Sequence, residues 1–210
     1  MIDVEKKTTT IPLFPLNAVM FPNMIMSMSI FEDKYKTLVN RCLESQSTFG
    51  IILIKSGSEV GGSSITYEVG TEIEIVEHEK YDDGKYRLLV KGTKRFKVMR
   101  LDYREDYLSA KVNYVEDDEN QIVDSGVILE ATSLFRDYMR YLVALNPGLE
   151  FKINNDDLLK TSYLIGQYLQ IPPKIKQQLL EFNLVEDRLL KEIEILRSFV
   201  PTKSNSGYLA

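Results

Sequence analysis

Apolar positions alternate with polar ones through much of the first half of this chain and recur at spacings of three and four through the second. Met24, Met26, Met28 and Ile30 alternate with Ile25, Ser27 and Ser29, the period of two that a half-buried strand requires. From residue 32 the period lengthens. Tyr35, Leu38, Val39 and Cys42 fall on one face of a helix predicted over residues 32–45. FGIILI, residues 49–54, is apolar apart from its glycine and predicts a buried strand. A flexible loop, GSEVGGSS, follows it. Further strands are predicted over residues 69–77, 86–90, 96–101 and 107–115, the first two joined by a hairpin turn at Asp82-Asp83-Gly84. About six or seven short strands with one helix predict a curved or barrel-like sheet.

The pattern changes at residues 116–125, EDDENQIVDS, where four consecutive acids cannot pack against one another and predict a solvated linker. Val127, Ala131, Leu134, Tyr138, Leu142 and Leu145 then repeat at helical spacing as far as Asn146-Pro147-Gly148. Asn155-Asp156-Asp157 sets acids at the positive end of a second helix. Pro172-Pro173 opens a third. Asn183, with Glu186 three residues on, reads as the cap of a fourth whose stripe is Val185, Leu189, Ile193 and Leu196. The expectation is an α+β protein. A β-rich part occupies residues 1–118, and an α-helical part of about four helices occupies residues 119–210, with a frayed tail from Thr202.

Composition narrows this picture without redirecting it. With 44% hydrophobic and 27% charged residues, a chain of 210 residues can bury a sizeable core. A net charge of −5 argues against nonspecific attraction to nucleic acid or anionic membrane. The single cysteine, Cys42, allows no internal disulfide and fits a reducing, cytoplasmic setting. No run approaches the roughly 18 apolar residues of a membrane span, and MIDVEKKTTT lacks the apolar segment of a secretory signal.

Catalytic signals are missing. His78, the only histidine, sits in a charged strand end and reads as exposed. One His and one Cys do not make a usual structural zinc site. Residues 57–64 have the glycine spacing of a P-loop, but Ser63 stands at the lysine position. The ITYEVG that follows is strand-like, whereas a P-loop opens a helix whose amides face phosphate. The expectation is a non-enzymatic protein with no metal and no cofactor.

One stretch carries more than periodicity. IPLFPLNAVMFPNMIMSMSIFEDKYKTLV, from residue 11, resembles the opening of the Lon protease substrate-binding N-terminal domain, which commonly runs LPLFPL…V.FPGM.LPL.IFE.RY. The resemblance continues in order through FGIILI, YEVGTEIEIVE, DGKYRLLVKGTKRFKV and YLSAKVNYVED, and more loosely through LLKTSYLIGQYLQIPPKIKQQLLEFNLVEDRLLKEIEILR. It implies a PUA-like pseudobarrel followed by a helical bundle. It also implies a module that captures unfolded or extended polypeptides, with a separate protease or chaperone as a further partner. These 210 residues contain no Walker A motif and leave no room for ATPase or peptidase modules, so the expectation is a module that does not itself carry out ATP-dependent proteolysis. The chain departs from the family pattern at Asn23, where glycine is usual, at Ile25 and Ser27, where prolines are frequent, and at Asp33, where proline is frequent.

Two surfaces compete for a binding role. Met20, Met24, Met26 and Met28, with Phe14, Phe21 and Phe31, suit a polarizable groove for varied apolar segments. The same residue types suit the core face of a strand. Lys85, Arg87, Lys91, Lys94, Arg95, Lys97 and Arg100, with Tyr86 and Phe96 interleaved, suit a nucleic-acid backbone. Alternation along strands sends neighbouring charges to opposite faces, and Glu72, Glu74, Glu77 and Glu79 are placed to pair with them. The aromatic stripes of the helical part, Tyr138, Tyr141, Tyr163, Tyr168 and Phe182 among them, read as core. The expectation is peptide capture at the Met- and Phe-rich surface, with RNA binding through the basic segment as the alternative.

Overall fold

The computed structural model describes residues 8–59, 64–118, 121–146 and 157–199. Glycine-loop residues 60–63, the Pro147-Gly148 stop, Asn155-Asp156 and the tail expected to fray lie outside the described residues. The elements in chain order are β1 (Thr9–Leu16), β2 (Ile25–Ile30), α1 (Asp33–Ser45), β3 (Phe49–Gly57), β4 (Ser64–Lys80), β5 (Tyr86–Asp102) and β6 (Ser109–Tyr114). Then come α2 (Ser125–Leu145), α3 (Leu158–Tyr168), α4 (Pro173–Glu181) and α5 (Val185–Phe199). This is the α+β class the sequence predicts.

The strands form one sheet in the order β2-β5-β4-β3-β1-β6, and a second pairing between β6 and β5 closes it into a barrel-like ring. β1 and β3 run parallel; every other pair is antiparallel. Closure depends on the length of β5, a 17-residue strand. One edge of it pairs with β4. The other edge pairs with β2 over residues 86–91 and with β6 over residues 96–102. The strands expected separately over 86–90 and 96–101 are therefore one, bent where its register with β4 and β6 shifts.

Inside the ring the Phe96 ring lies against the backbone of β3 and β4. A Cβ on Gly50 would sit 2.6 Å from that ring, and one on Gly70 would sit 2.5 Å from the Ile51 carbonyl. Ile11, Leu13, Ile52, Ala110 and Val112 complete this core. A larger apolar cluster packs α1, through Tyr35, Leu38, Val39 and Cys42, against Met28, Ile30, Phe49, Leu88 and Val90. The β4–β5 hairpin turns where expected, with Gly84 at φ 77° and its amide donating to the Tyr81 carbonyl at 2.9 Å.

The chain divides into two compact units. One holds the sequence up to Glu116 and, in addition, Gln170–Glu181; the other holds Asp117–Leu169 and the chain from Phe182 onward. A single cut at residue 118 misses this interruption. Residues 170–181 join the strands because Gln177 Nε2 donates to the Val69 carbonyl at 2.9 Å and Arg95 Nη1 donates to the Leu180 carbonyl at 2.8 Å.

In the helical unit Asp124 caps α2, accepting from the amides of Gly126 and Val127. The buried face of α2 is Ala131, Thr132, Phe135, Tyr138, Met139 and Leu142. Leu145, expected on that face, is 60% exposed, and Val127 and Leu134 are only half-buried. Asp157 caps α3 by accepting from the Lys160 amide at 2.9 Å. At the start of α5 the Val185 amide is held at 2.6 Å by Gln121 Oε1, which replaces the expected Asn183 cap. The acidic stretch is also more than solvated: Asp117 accepts from the Tyr163 hydroxyl at 2.8 Å. The α5 stripe Val185, Leu189, Ile193 and Leu196 is buried as predicted.

Candidate functional site

β2 runs straight into α1. Glu32, extended at φ −74° and ψ 136°, occupies the N-cap position, so the chain turns immediately after Phe31. The Phe31 side chain is left 50% exposed at this corner. Beside it lies a groove of about 240 Å³ lined by Phe14, Leu16, Ala18, residues 26–32, Tyr35 and Glu59. Its floor is aromatic: Phe14 and Tyr35 stack with centroids 4.0 Å apart and planes at 26°.

Charge is confined to the rim. Lys34 Nζ lies 3.3 Å from Glu32 and 4.6 Å from the Tyr35 ring centre. Glu59 accepts from the neutral Asn17 amide at 2.9 Å. Burial, then the charges of Glu32 and Glu59, push the Tyr35 phenol up to about 12. Tyr35 therefore stays neutral at physiological pH. Because Lys34 offsets Glu32, the net negative charge at the groove rests on Glu59.

Of the apolar residues singled out in the sequence, Phe14, Met26, Met28 and Phe31 line this groove together. Met24 is half-buried against the core and does not. Met20 and Phe21 are 2% and 0% exposed. They are core residues because their loop is strapped to the sheet. Thr71 Oγ1 donates to the Met20 carbonyl at 2.6 Å, and the Asn23 amide donates to the Gly92 carbonyl at 2.9 Å. A Cβ on Gly92 would lie 2.2 Å from the Phe21 carbonyl oxygen, so glycine is required at this contact. Leu16, Ala18, Tyr35 and Glu59 are groove residues that sequence reasoning missed. Tyr35 carried a signal, its place on the buried helix face; Glu59 lies beyond β3 and carried none.

The basic segment does not form one surface. Lys85 pairs with Asp83 at 2.6 Å, Lys91 with Glu74 at 3.6 Å and Lys97 with Glu68 at 3.5 Å. Lys94 lies 5.0 Å from the Tyr114 ring centre. Arg87 stands opposite Glu79 in the β4–β5 register, and both are exposed, as is Arg100. Arg95 is 1% exposed and so cannot reach a phosphate; it anchors α4 instead. Glu72, expected to pair with a cation, is buried and accepts from the hydroxyls of Thr48, Thr93 and Tyr114.

A second, larger pocket of about 390 Å³ is lined by Thr9, Arg41, Glu72, Tyr107 and Tyr114 among others. Several of its polar groups are engaged internally, Arg41 Nη1 donating to the Tyr107 hydroxyl at 2.6 Å and Glu72 accepting as above. The smaller groove is the better candidate for an apolar guest because Phe14, Leu16, Met26, Met28, Ile30 and Phe31 line it, whereas hydroxyl and charged side chains dominate the larger pocket. The P-loop-like segment lies between two paired strand ends, Gly57 of β3 opposite Ser64 of β4, and no helix follows it. His78 is exposed. No helix among the described residues is long and apolar enough to cross a membrane.

The class these elements define is a closed strand ring with an apolar groove at the corner between β2 and α1. The chain belongs to the family of the ATP-dependent protease La (LON) substrate-binding domain, whose model matches residues 10–198. A Lon protease from Anaeromyxobacter dehalogenans is 27% identical over 204 residues, covering 93% of this chain and 24% of the relative. The chain thus spans about a quarter of the length of such curated relatives. A Lon N-terminal domain protein from Xanthomonas campestris has the same fold, with a TM-score of 0.70, 26% identity and coverage of 92% of this chain and 99% of that one. The N-terminal domain of the Mycobacterium avium complex Lon protease agrees in fold alone, at a TM-score of 0.63 and 14% identity.

Proposed function

We propose that this protein is a non-catalytic Lon-type recognition module that binds unfolded or extended polypeptides through their apolar segments. The observation that carries the reading is the half-exposed Phe31 at the mouth of a groove floored by Phe14, Met26, Met28 and Tyr35. Binding is burial of apolar surface, at about 25 cal/mol per Å², with no covalent step. Methionine suits such a floor because its unbranched, polarizable side chain adapts to different guests. The bound polypeptide passes to a separate protease or chaperone. A cytoplasmic setting fits the lone, buried Cys42.

The RNA reading is weakened, since Lys85, Lys91 and Lys97 face carboxylates, Lys94 an aromatic ring and Arg95 a buried carbonyl, which leaves Arg87 and Arg100. The test is fluorescence anisotropy with labelled, reduced and carboxymethylated α-lactalbumin and with a labelled single-stranded RNA, each at low and moderate salt. Saturable polypeptide binding that survives salt, weakened about tenfold by Phe31→Ala, is the expected result. RNA binding alone, collapsing with salt, would overturn the reading.

A further inference from the structure

The groove adjoins the open edge of the sheet. β2 ends the strand order, and among the described residues its only partner is β5. In an antiparallel ladder successive residues point their N–H and C=O groups alternately toward and away from the partner strand. The Gly92 amide donates to the Met24 carbonyl at 2.9 Å, which fixes the phase. Met26, Met28 and Ile30 therefore face β5, while the backbone groups of Ile25, Ser27 and Ser29 face outward.

Natural sheets guard such edges with lysine, proline, bulges or inward charges. β2 reads IMSMSI, and its pairing with β5 has none of the register shifts that interrupt β3–β4, β4–β5 and β5–β6. Residues from both faces of β2, Ser27 and Ser29 as well as Met26 and Met28, line the groove, so the groove runs along this edge. Glu59, engaged by a neutral amide, lines it too.

We infer that β2 takes up an extended polypeptide as an added strand, whose apolar side chains enter the groove and whose flanking basic residue meets Glu59. This rests on the peptide-binding reading above and specifies its geometry. Main-chain hydrogen bonds to Ile25, Ser27 and Ser29 supply affinity without regard to sequence, and the groove and Glu59 select side chains.

The experiment uses the full chain and fluorescein-labelled peptides of alternating leucine and threonine flanked by lysines. Two further peptides carry N-methyl groups on the leucine amides or on the threonine amides. Strand addition predicts that one methylated register loses about tenfold or more in affinity while the other binds like the parent. Equal binding by all three overturns strand addition and leaves peptide capture standing; no binding by any overturns both. Ser27→Pro, which removes an outward donor at a position an edge strand tolerates, is expected to weaken the parent peptide about tenfold while circular dichroism stays unchanged. Norleucine in place of the lysines is expected to lower affinity for the wild type and not for Glu59→Gln; an equal loss in both overturns the charge assignment.

Discussion

The strand ring and the helical unit are centred differently, although each unit buries a guanidinium, Arg95 in the strand unit being 1% exposed and bonded to the Leu180 carbonyl. The ring closes around Phe96, a fully buried ring resting on two glycines among aliphatic side chains. The helical unit closes around a charge. Arg188 is 0% exposed; it donates to Ser162 Oγ at 2.7 Å and the Phe182 carbonyl at 2.6 Å, and lies 4.1 Å from the Tyr163 ring centre. One turn along α5, Glu192 is also 0% exposed. An apolar core tolerates any arrangement that conserves volume, whereas a buried guanidinium demands particular partners at particular distances. The contrast suits a ring whose edge and corner groove accept varied guests and a helical unit specified by its polar contacts.

The largest expected effect breaks the apolar side of this contrast. Phe96→Ala removes the ring that Gly50 and Gly70 accommodate and is expected to cost about 3–5 kcal/mol in urea denaturation. A loss below about 1 kcal/mol would mean the ring is not packed as described. Next comes the polar side. Arg188→Met leaves Ser162 and the Phe182 carbonyl without this donor, at an expected cost of about 2–3 kcal/mol. Arg188→Lys, which keeps the charge but not the planar fork, is expected to recover only part of it.

A subtler effect separates the units by pH. Burial raises the Glu192 carboxyl well above its ordinary value of 4.5, and the nearby Arg188 charge only partly offsets this. The Gly166 amide also draws the value down, yet neither Glu192 oxygen has a partner meeting hydrogen-bond geometry. The folded protein therefore holds the proton, and the unfolded chain releases it above about 4.5. Stability from this group is fully present below that pH and is lost as pH rises toward the raised folded value. Glu192→Gln is expected to flatten the fall in stability above pH 4.5, read from denaturation midpoints across the range. A wild-type profile with no such fall would show that Glu192 is charged in the fold.

Much of this architecture was legible because burial imposes periodicity. The face of α1, the apolar run of β3 and the stripe of α5 follow directly from spacing. The interleaving of α4 with the strands was not legible, since it depends on two long-range contacts, Gln177 to Val69 and Arg95 to Leu180. Arg95 in particular looked like one more surface cation among seven. In the site, the sequence placed Phe14, Met26, Met28 and Phe31 in one set. It could not separate them from Met20 and Phe21, because groove and core draw on the same residue types. The family departures at Ile25 and Ser27 fall on outward-facing positions of β2, where a proline would lack the N–H that this chain presents.

Asn23 sharpens the comparison at its smallest scale, between this chain and its family. Its φ of 64° lies in the left-handed region, which L-residues other than asparagine and aspartate enter at a cost of about 1–2 kcal/mol. Asn23 tolerates the conformation that glycine, usual at this position in the family, adopts freely. Its amide must still donate to the Gly92 carbonyl to hold the loop against the sheet. Asn23→Ala is expected to cost about 1 kcal/mol, and Asn23→Gly to change stability by no more than about 0.5 kcal/mol, its relief of strain offset by greater freedom in the unfolded chain. If alanine were as stable as asparagine, the left-handed turn would not be what fixes this loop. Groove binding by Asn23→Ala should then track stability alone, since Asn23 itself does not line the groove.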